Sequence, residues 1–189
     1  MRVILLILSL TTAMPSGAFQ TGGAIGAKYA SMASAAGPLG PVISDESDLA
    51  GGGRISRFGN GAITWHPRYG THAVVGLIGA KWLATGREVK FGVPVTDEIT
   101  GANGGHYNDF SGNATIVVLP QRGAHAVYGL IRARWLAIGR EGGVCGYPIS
   151  DELDVPGGRR SYFEGGTITW KGGAPAAVEM CTAPSVAKP

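Results

Sequence analysis

The side chains that could do chemistry come in recurring sets. A carboxylate pair stands at Ser44-Asp45-Glu46, again at Thr96-Asp97-Glu98 and again at Ser150-Asp151-Glu152. Two carboxyls cleave a glycosidic bond when they converge on it from either side. Neighbours in an extended segment project to opposite faces instead, so recurrence points to a structural task such as capping a turn or pairing with Lys28, Lys81 and Arg134. No Asp-x-Asp-x-Asp-Gly calcium loop is present. Histidine repeats only as His72 and His125, 53 residues apart, so a metal site would need two distant segments to meet; His66 and His106 show no partner pattern. Gly-x-Ser-x-Gly, His-Glu-x-x-His and phosphate-loop signatures do not occur. These features predict a protein without catalysis, metal or cofactor.

Aromatic rings are the stronger ligand candidates. Trp65 has Arg54, Arg68, Tyr69 and His72 close to it in sequence, and Trp170 stands at the matching place further on. A flat ring stacks on the C–H face of a sugar while polar neighbours orient it. The candidate carbohydrate site is therefore Trp65, Tyr69, His72, Arg54 and Trp170. Packing of the same rings between neighbouring structural units is the competing reading, and the sequence leaves both open. Tyr29, Trp82 and Trp135 recur beside isoleucine and read as core.

These residues must be positioned by repeated elements. Leu77-Ile78-Gly79-Ala80-Lys81-Trp82-Leu83-Ala84 returns 53 residues later as Leu130-Ile131-Arg132-Ala133-Arg134-Trp135-Leu136-Ala137, with a looser copy, Ala24-Ile25-Gly26-Ala27-Lys28-Tyr29-Ala30, 53 residues upstream. Glycine pairs precede Phe58, Phe110 and Phe163 at similar intervals, and Gly70-Thr71-His72-Ala73-Val74 matches Gly123-Ala124-His125-Ala126-Val127. Three copies, 24–75, 77–128 and 130–181, fill the chain from residue 19 to 189. Each predicts a short helix, with Ile78 and Trp82 one turn apart and Gly86 as a left-handed stop. A Gly/Pro turn and a β-hairpin follow, then one more short strand leading into the next helix. Such a helix is too short to persist alone. The expectation is thus an α+β array of three tandem helix–β-hairpin repeats sharing one core, arranged as an arc or an incomplete propeller-like ring.

Composition narrows the function. Glycine, 32 of 189 residues, is more than twice the ~7% average and follows no collagen period, so it punctuates many short elements. A net charge of +3 with no Lys/Arg run predicts no nucleic-acid partner. Arg2, the apolar stretch Val3–Leu10 and Ser16-Gly17-Ala18 predict a signal peptide over 1–18, too short in its apolar part to span a bilayer, so no membrane insertion is expected. Export suits a disulfide between Cys145 and Cys181, the only cysteines, which lie in no Cys-x-x-Cys pair. Asn113-Ala114-Thr115 is a glycosylation sequon, of consequence if the source is eukaryotic.

The order of helix, Gly/Pro turn, Ser/Thr-Asp-Glu, Gly-Gly, Phe-x-x-Gly-x-Ile-x-Trp and Gly-x-His-x-Val resembles the LGFP repeat, over about 24–180. No copy spells the tetrapeptide: Leu39-Gly40-Pro41-Val42, Phe91-Gly92-Val93-Pro94 and Cys145-Gly146-Tyr147-Pro148 stand at the turn. Val118 replaces the hairpin tryptophan in copy two, and Ala177 falls where His72 would be in copy three. The resemblance implies a wall association, since such repeats occur in actinobacterial cell-wall proteins and are proposed to anchor mycolyltransferase or hydrolase domains. The expected function is a secreted, extracellular or wall-associated module that binds a cell-wall polysaccharide or glycan without catalysis. The alternative is a structural or effector-like secreted protein with a protein partner.

Overall fold

A computed structural model of the protein describes residues 19–172 and Cys181; the expected signal peptide and Ala177 lie outside the described residues. Helix α1 spans Gly23–Ser31, followed by strands β1 (Ser47–Asp48), β2 (Arg54–Phe58), β3 (Gly61–His66) and β4 (Gly70–Val75). The second unit comprises α2 (Gly76–Ala84), α3 (Arg87–Phe91), β5 (Ile99–Thr100), β6 (His106–Phe110), β7 (Ala114–Leu119) and β8 (Gly123–Tyr128). The third has α4 (Gly129–Ala137), β9 (Leu153–Val155), β10 (Gly158–Phe163) and β11 (Gly166–Lys171). The strands form three separate antiparallel sheets, ordered β1-β2-β3-β4, β5-β6-β7-β8 and β11-β10-β9. The α+β class and the three tandem units are as expected. The hairpins are wider than expected, because a short outer strand (β1, β5 or β9) adds to each. The sheets do not close into a ring.

The expected single core is three clusters, one around each of α1, α2 and α4. Ile25 of α1 packs with Phe58, Ile63 and Ala73. Ile78 and Trp82 of α2 pack with Ala62 and Val74 on one side and Phe110 and Ile116 on the other. Ile131 and Trp135 of α4 meet Val117 and Val127, then Phe163 and Ile168. Each inner helix thus lies between two sheets, and the first two sheets are buried on both faces. Successive residues of β3 and β7 point to different helices: Ala62 to α2 but Ile63 to α1, Ile116 to α2 but Val117 to α4. That period of two is the pleat of a strand, and it separates the clusters physically.

The turn after each helix has a clear reason for its glycine. Tyr29 Oη donates to Gly40 O at 2.8 Å, Trp82 Nε1 to Gly92 O at 3.1 Å and Trp135 Nε1 to Gly146 O at 3.0 Å. These three glycines have φ of 72°, 79° and 66°, a left-handed conformation that only glycine adopts without a Cβ penalty. A buried indole needs a partner for its N–H, and the turn carbonyl supplies it. The residue before the glycine, Leu39, Phe91 or Cys145, is fully buried.

The third unit is closed off by different chemistry. Arg160 occupies the register position of Ile55 and Tyr107 and donates from Nε to Thr169 Oγ1 at 2.8 Å. The expected disulfide joins Cys145 to Cys181 with Cα atoms 5.1 Å apart, inside the usual range. Cys181 lies against Gly166, as Val75 lies opposite Gly61 and Tyr128 opposite Ala114.

Candidate functional site

Strand register brings the expected arginine and tryptophan together. Arg54 of β2 lies opposite Trp65 of β3, and Arg159 of β10 lies opposite Trp170 of β11. Directly opposed residues share one face of the ladder. Arg54 is held by its own repeat: Nε donates to Glu46 Oε2 at 2.8 Å, Nη1 to Asp48 Oδ1 at 3.2 Å and Nη2 to the Glu46 carbonyl at 3.4 Å. Arg159 repeats the pattern with Glu152 at 2.9 Å, Asp154 at 2.7 Å and the Glu152 carbonyl at 3.4 Å. It also donates to Tyr128 Oη at 2.7 Å.

The glutamate ties this pair to the segment that leads into the helix of its own unit. Glu46 Oε1 accepts the Gly22 N–H and Glu152 Oε1 the Tyr128 N–H, both at 2.9 Å, just ahead of α1 and α4. Burial raises the Glu152 carboxyl above its usual value, against the pull of the Tyr128 N–H and Arg159. Burial also raises the Tyr128 phenol, with the nearby Glu152 charge adding to it.

A cavity opens beside each pair. One of about 420 Å³ is walled by Gly22 to Ile25, Glu46, Arg54 and Trp65. One of about 210 Å³ is walled by Tyr128 to Ile131, Glu152, Arg159 and Trp170. The first lies at the low end of the ~300–1,000 Å³ range of ligand clefts and the second falls below it. Trp65 keeps 37% of its surface exposed, whereas Trp170 packs partly on the third cluster. In the second unit Val118 and His106 take the two positions, with His106 Nδ1 3.5 Å from Glu98.

The other two expected site residues lie elsewhere. His72 is registered with Thr64, one residue before Trp65, and alternation along the strand places it on the opposite face. Its Nε2 donates to the Tyr69 carbonyl at 2.8 Å and its Nδ1 faces Asp97 at 3.7 Å. Tyr69 sits in the β3–β4 turn, its ring 4.9 Å from that of His66 and with Arg68 above it. It lines a cleft toward Glu88 and Ser111 of the second unit. Tyr69 and His72 therefore belong to a seam between units and not to the Trp65 pocket.

In the second and third units the aspartates of the carboxylate pairs act between units. Asp97 accepts from Lys28 and from the Ala73 N–H, and Asp151 from Lys81 and the Ala126 N–H. Asp and Glu do not diverge as an extended segment would make them, because the chain bends at Ser44 and at Ser150. In the third unit they reach alternate N–H groups, Ala126 and Tyr128, of the same strand. Burial would raise Asp97 and Asp151; the hydrogen bond from lysine, then the backbone N–H and the nearby charges, outweigh it and hold both below the usual value.

Asn113 occupies an exposed turn at φ 54°. Its Nδ2 donates to Gly129 O at 3.2 Å and its Oδ1 accepts from Arg132 at 2.7 Å. Sequence reasoning assigned Glu46 and Glu152 to structure alone, and read no partner for His106. The available signal was spacing: Arg54, His106 and Arg159 lie 52 and 53 residues apart. Among the described residues no three His, Cys, Asp or Glu side chains group to hold a metal, and no helix is long and apolar enough to cross a membrane.

No curated protein matches the chain. The family model described as the LGFP repeat matches three consecutive stretches, 39–89, 91–143 and 146–182. Each begins near the buried residue and left-handed glycine that accept the ring of the preceding helix. With most of its length matched in this way, the chain belongs to the LGFP repeat family.

Proposed function

We propose that this is a secreted, non-catalytic wall-associated protein that binds cell-wall carbohydrate through the Trp65 pocket and its counterpart at Trp170. The observation that carries this reading is the contrast among the aromatic rings. Tyr29, Trp82 and Trp135 are consumed by the layers, while Trp65 keeps an exposed ring beside an arginine fixed by two carboxylates. A rigid ring with fixed polar neighbours is what a sugar face requires. The carboxylates support binding over turnover, since each contact partner of the Asp-Glu steps is a lysine, an arginine, a histidine or a backbone N–H.

Retention of the folded protein on insoluble wall fractions tests the proposal. Trp65→Ala should weaken retention about tenfold, or ~1.4 kcal/mol, with circular dichroism unchanged; undiminished retention counts against it. A second reading, a protein partner, is favoured by Leu77, Val89 and Leu130, which are 58%, 81% and 56% exposed. Under that reading, substitution of these residues weakens partner capture while Trp65→Ala has no effect.

A further inference from the structure

The cavities at Trp65 and Trp170 are one site built twice, and the charges inside them restrict the occupant. Every lining position corresponds across the repeat. Gly23 and Gly129 start their helices at φ 48° and 57°; Ile25 and Ile131 are buried behind them. Glu46 matches Glu152, Arg54 matches Arg159 and Trp65 matches Trp170. The middle unit retains Gly76 at φ 56°, Ile78 and Glu98, but His106 and Val118 replace the guanidinium and the ring.

In both full copies each guanidinium nitrogen is already donating to an oxygen of its own repeat. At Arg54 one positive charge stands against two negative ones, Glu46 and Asp48; at Arg159 the carboxylates are Glu152 and Asp154, with the Lys90 ammonium acting on Glu152 and lying over the Tyr128 ring. A uronate or phosphate meets an excess of negative charge at the Trp65 pocket, and at Trp170 it finds every guanidinium nitrogen already donating. What lines the cavity otherwise is the tryptophan ring and the aliphatic start of the helix (Ala24 or Leu130), while Asp48 and Asp154, bonded to the guanidinium, are 87% and 88% exposed. That set suits a ring with an apolar C–H face and hydroxyl donors.

Building on the wall-binding reading, we infer that the protein is a two-site binder of uncharged polysaccharide, with one site in the first repeat and one in the third. Two sites on one polymer convert the second contact into an intramolecular one, so losing either site costs more than half the binding.

Depletion of the folded full chain from solution by insoluble chitin, β-glucan and arabinan, and by polygalacturonate gel, tests this at low and high salt. The expected result is retention on an uncharged polymer that is insensitive to salt. Trp65→Ala and Trp170→Ala should each weaken it at least tenfold, the double substitution should abolish it, and His106→Ala in the middle repeat should leave it unchanged. Retention only on polygalacturonate and lost in high salt overturns the inference, as do single variants that both bind like the parent. Protein held by whole wall material but by no uncharged polymer defeats the inference alone; protein that whole wall material does not hold defeats the wall-binding reading itself.

Discussion

Lys81 in α2 pairs with Asp151, 70 residues downstream at the start of the third sheet, as Lys28 in α1 pairs with Asp97, 69 residues downstream. Each ion pair joins one unit to the next, and each Asp also caps the N–H of the strand entering the following helix. Because the two carboxyls are held below the ordinary aspartate value, their contribution to stability is full above that value. It is lost as pH falls through the lower, folded-state value. The carboxylates are 46% and 42% exposed, so the pairs sit toward the weak end, at about 0.5–1 kcal/mol each. Asp97→Asn and Asp151→Asn should lower the melting temperature at neutral pH, and the difference from the parent should vanish in strong acid. A difference that persists in acid would falsify the charge argument.

The Cys145–Cys181 bridge encloses a separation of 36 residues, which on the loop-entropy account restricts the unfolded chain by about 4 kcal/mol. Cys181→Ser, or reduction, should cost a large part of that in denaturant unfolding. The effect should fall on the third layer, because Cys145 fills the same slot as Leu39 and Phe91. Hydrogen exchange in β10 and β11 should accelerate first, and uniform acceleration across all three sheets speaks against it.

Glycine 86 and Gly139 end α2 and α4 at φ 95° and 99°, whereas the first unit places Ala33 there at φ 64°. A Cβ in the left-handed region costs roughly 1–2 kcal/mol, offset in part by the freedom glycine adds to the unfolded chain. Ala33→Gly should therefore raise stability by about 0.5–1 kcal/mol. The opposite change, Gly92→Ala, places a Cβ 2.3 Å from Gly112 N at a positive φ and should destabilise by roughly 2 kcal/mol or more. Chemical denaturation of the two variants checks both signs.

Tyr147 is fully buried and donates its hydroxyl to the Ala102 carbonyl of the second unit. Burial, then the Glu141 charge, pushes its phenol up to about 12. The folded state thus holds this proton more tightly than the unfolded chain, whose phenols ionise near 10. Stability from this group is complete below the unfolded value and falls as pH rises through about 12. Tyr147→Phe should flatten that alkaline decline, and a spectroscopic phenol titration should show one late step missing in the variant.

The period is legible in the residues alone, because each unit must present the same helix face and turn to its neighbours. Ile78 and Trp82 one turn apart, Gly86 as a stop and alternation at Ile168 and Trp170 are local patterns, and local chemistry decides them. The residues alone also determine the cysteine pairing, since only two thiols exist. Pairing of the carboxylates with Lys28 and Lys81 was expected from recurrence and is found; the tertiary structure set which one each lysine takes, the aspartate of the following unit, since no local rule chooses between partners 69 residues apart and those nearby. It also divided the expected site. Trp65, Tyr69 and His72 lie within eight residues of one another, yet registers of Trp65 with Thr71 and of Thr64 with His72 send the ring and the imidazole to opposite faces of the sheet. Arg54, eleven residues away from Trp65, becomes its direct neighbour because the β2–β3 turn sets the ladder. Proximity in sequence fails where a pleated strand intervenes, since each step along it reverses the face.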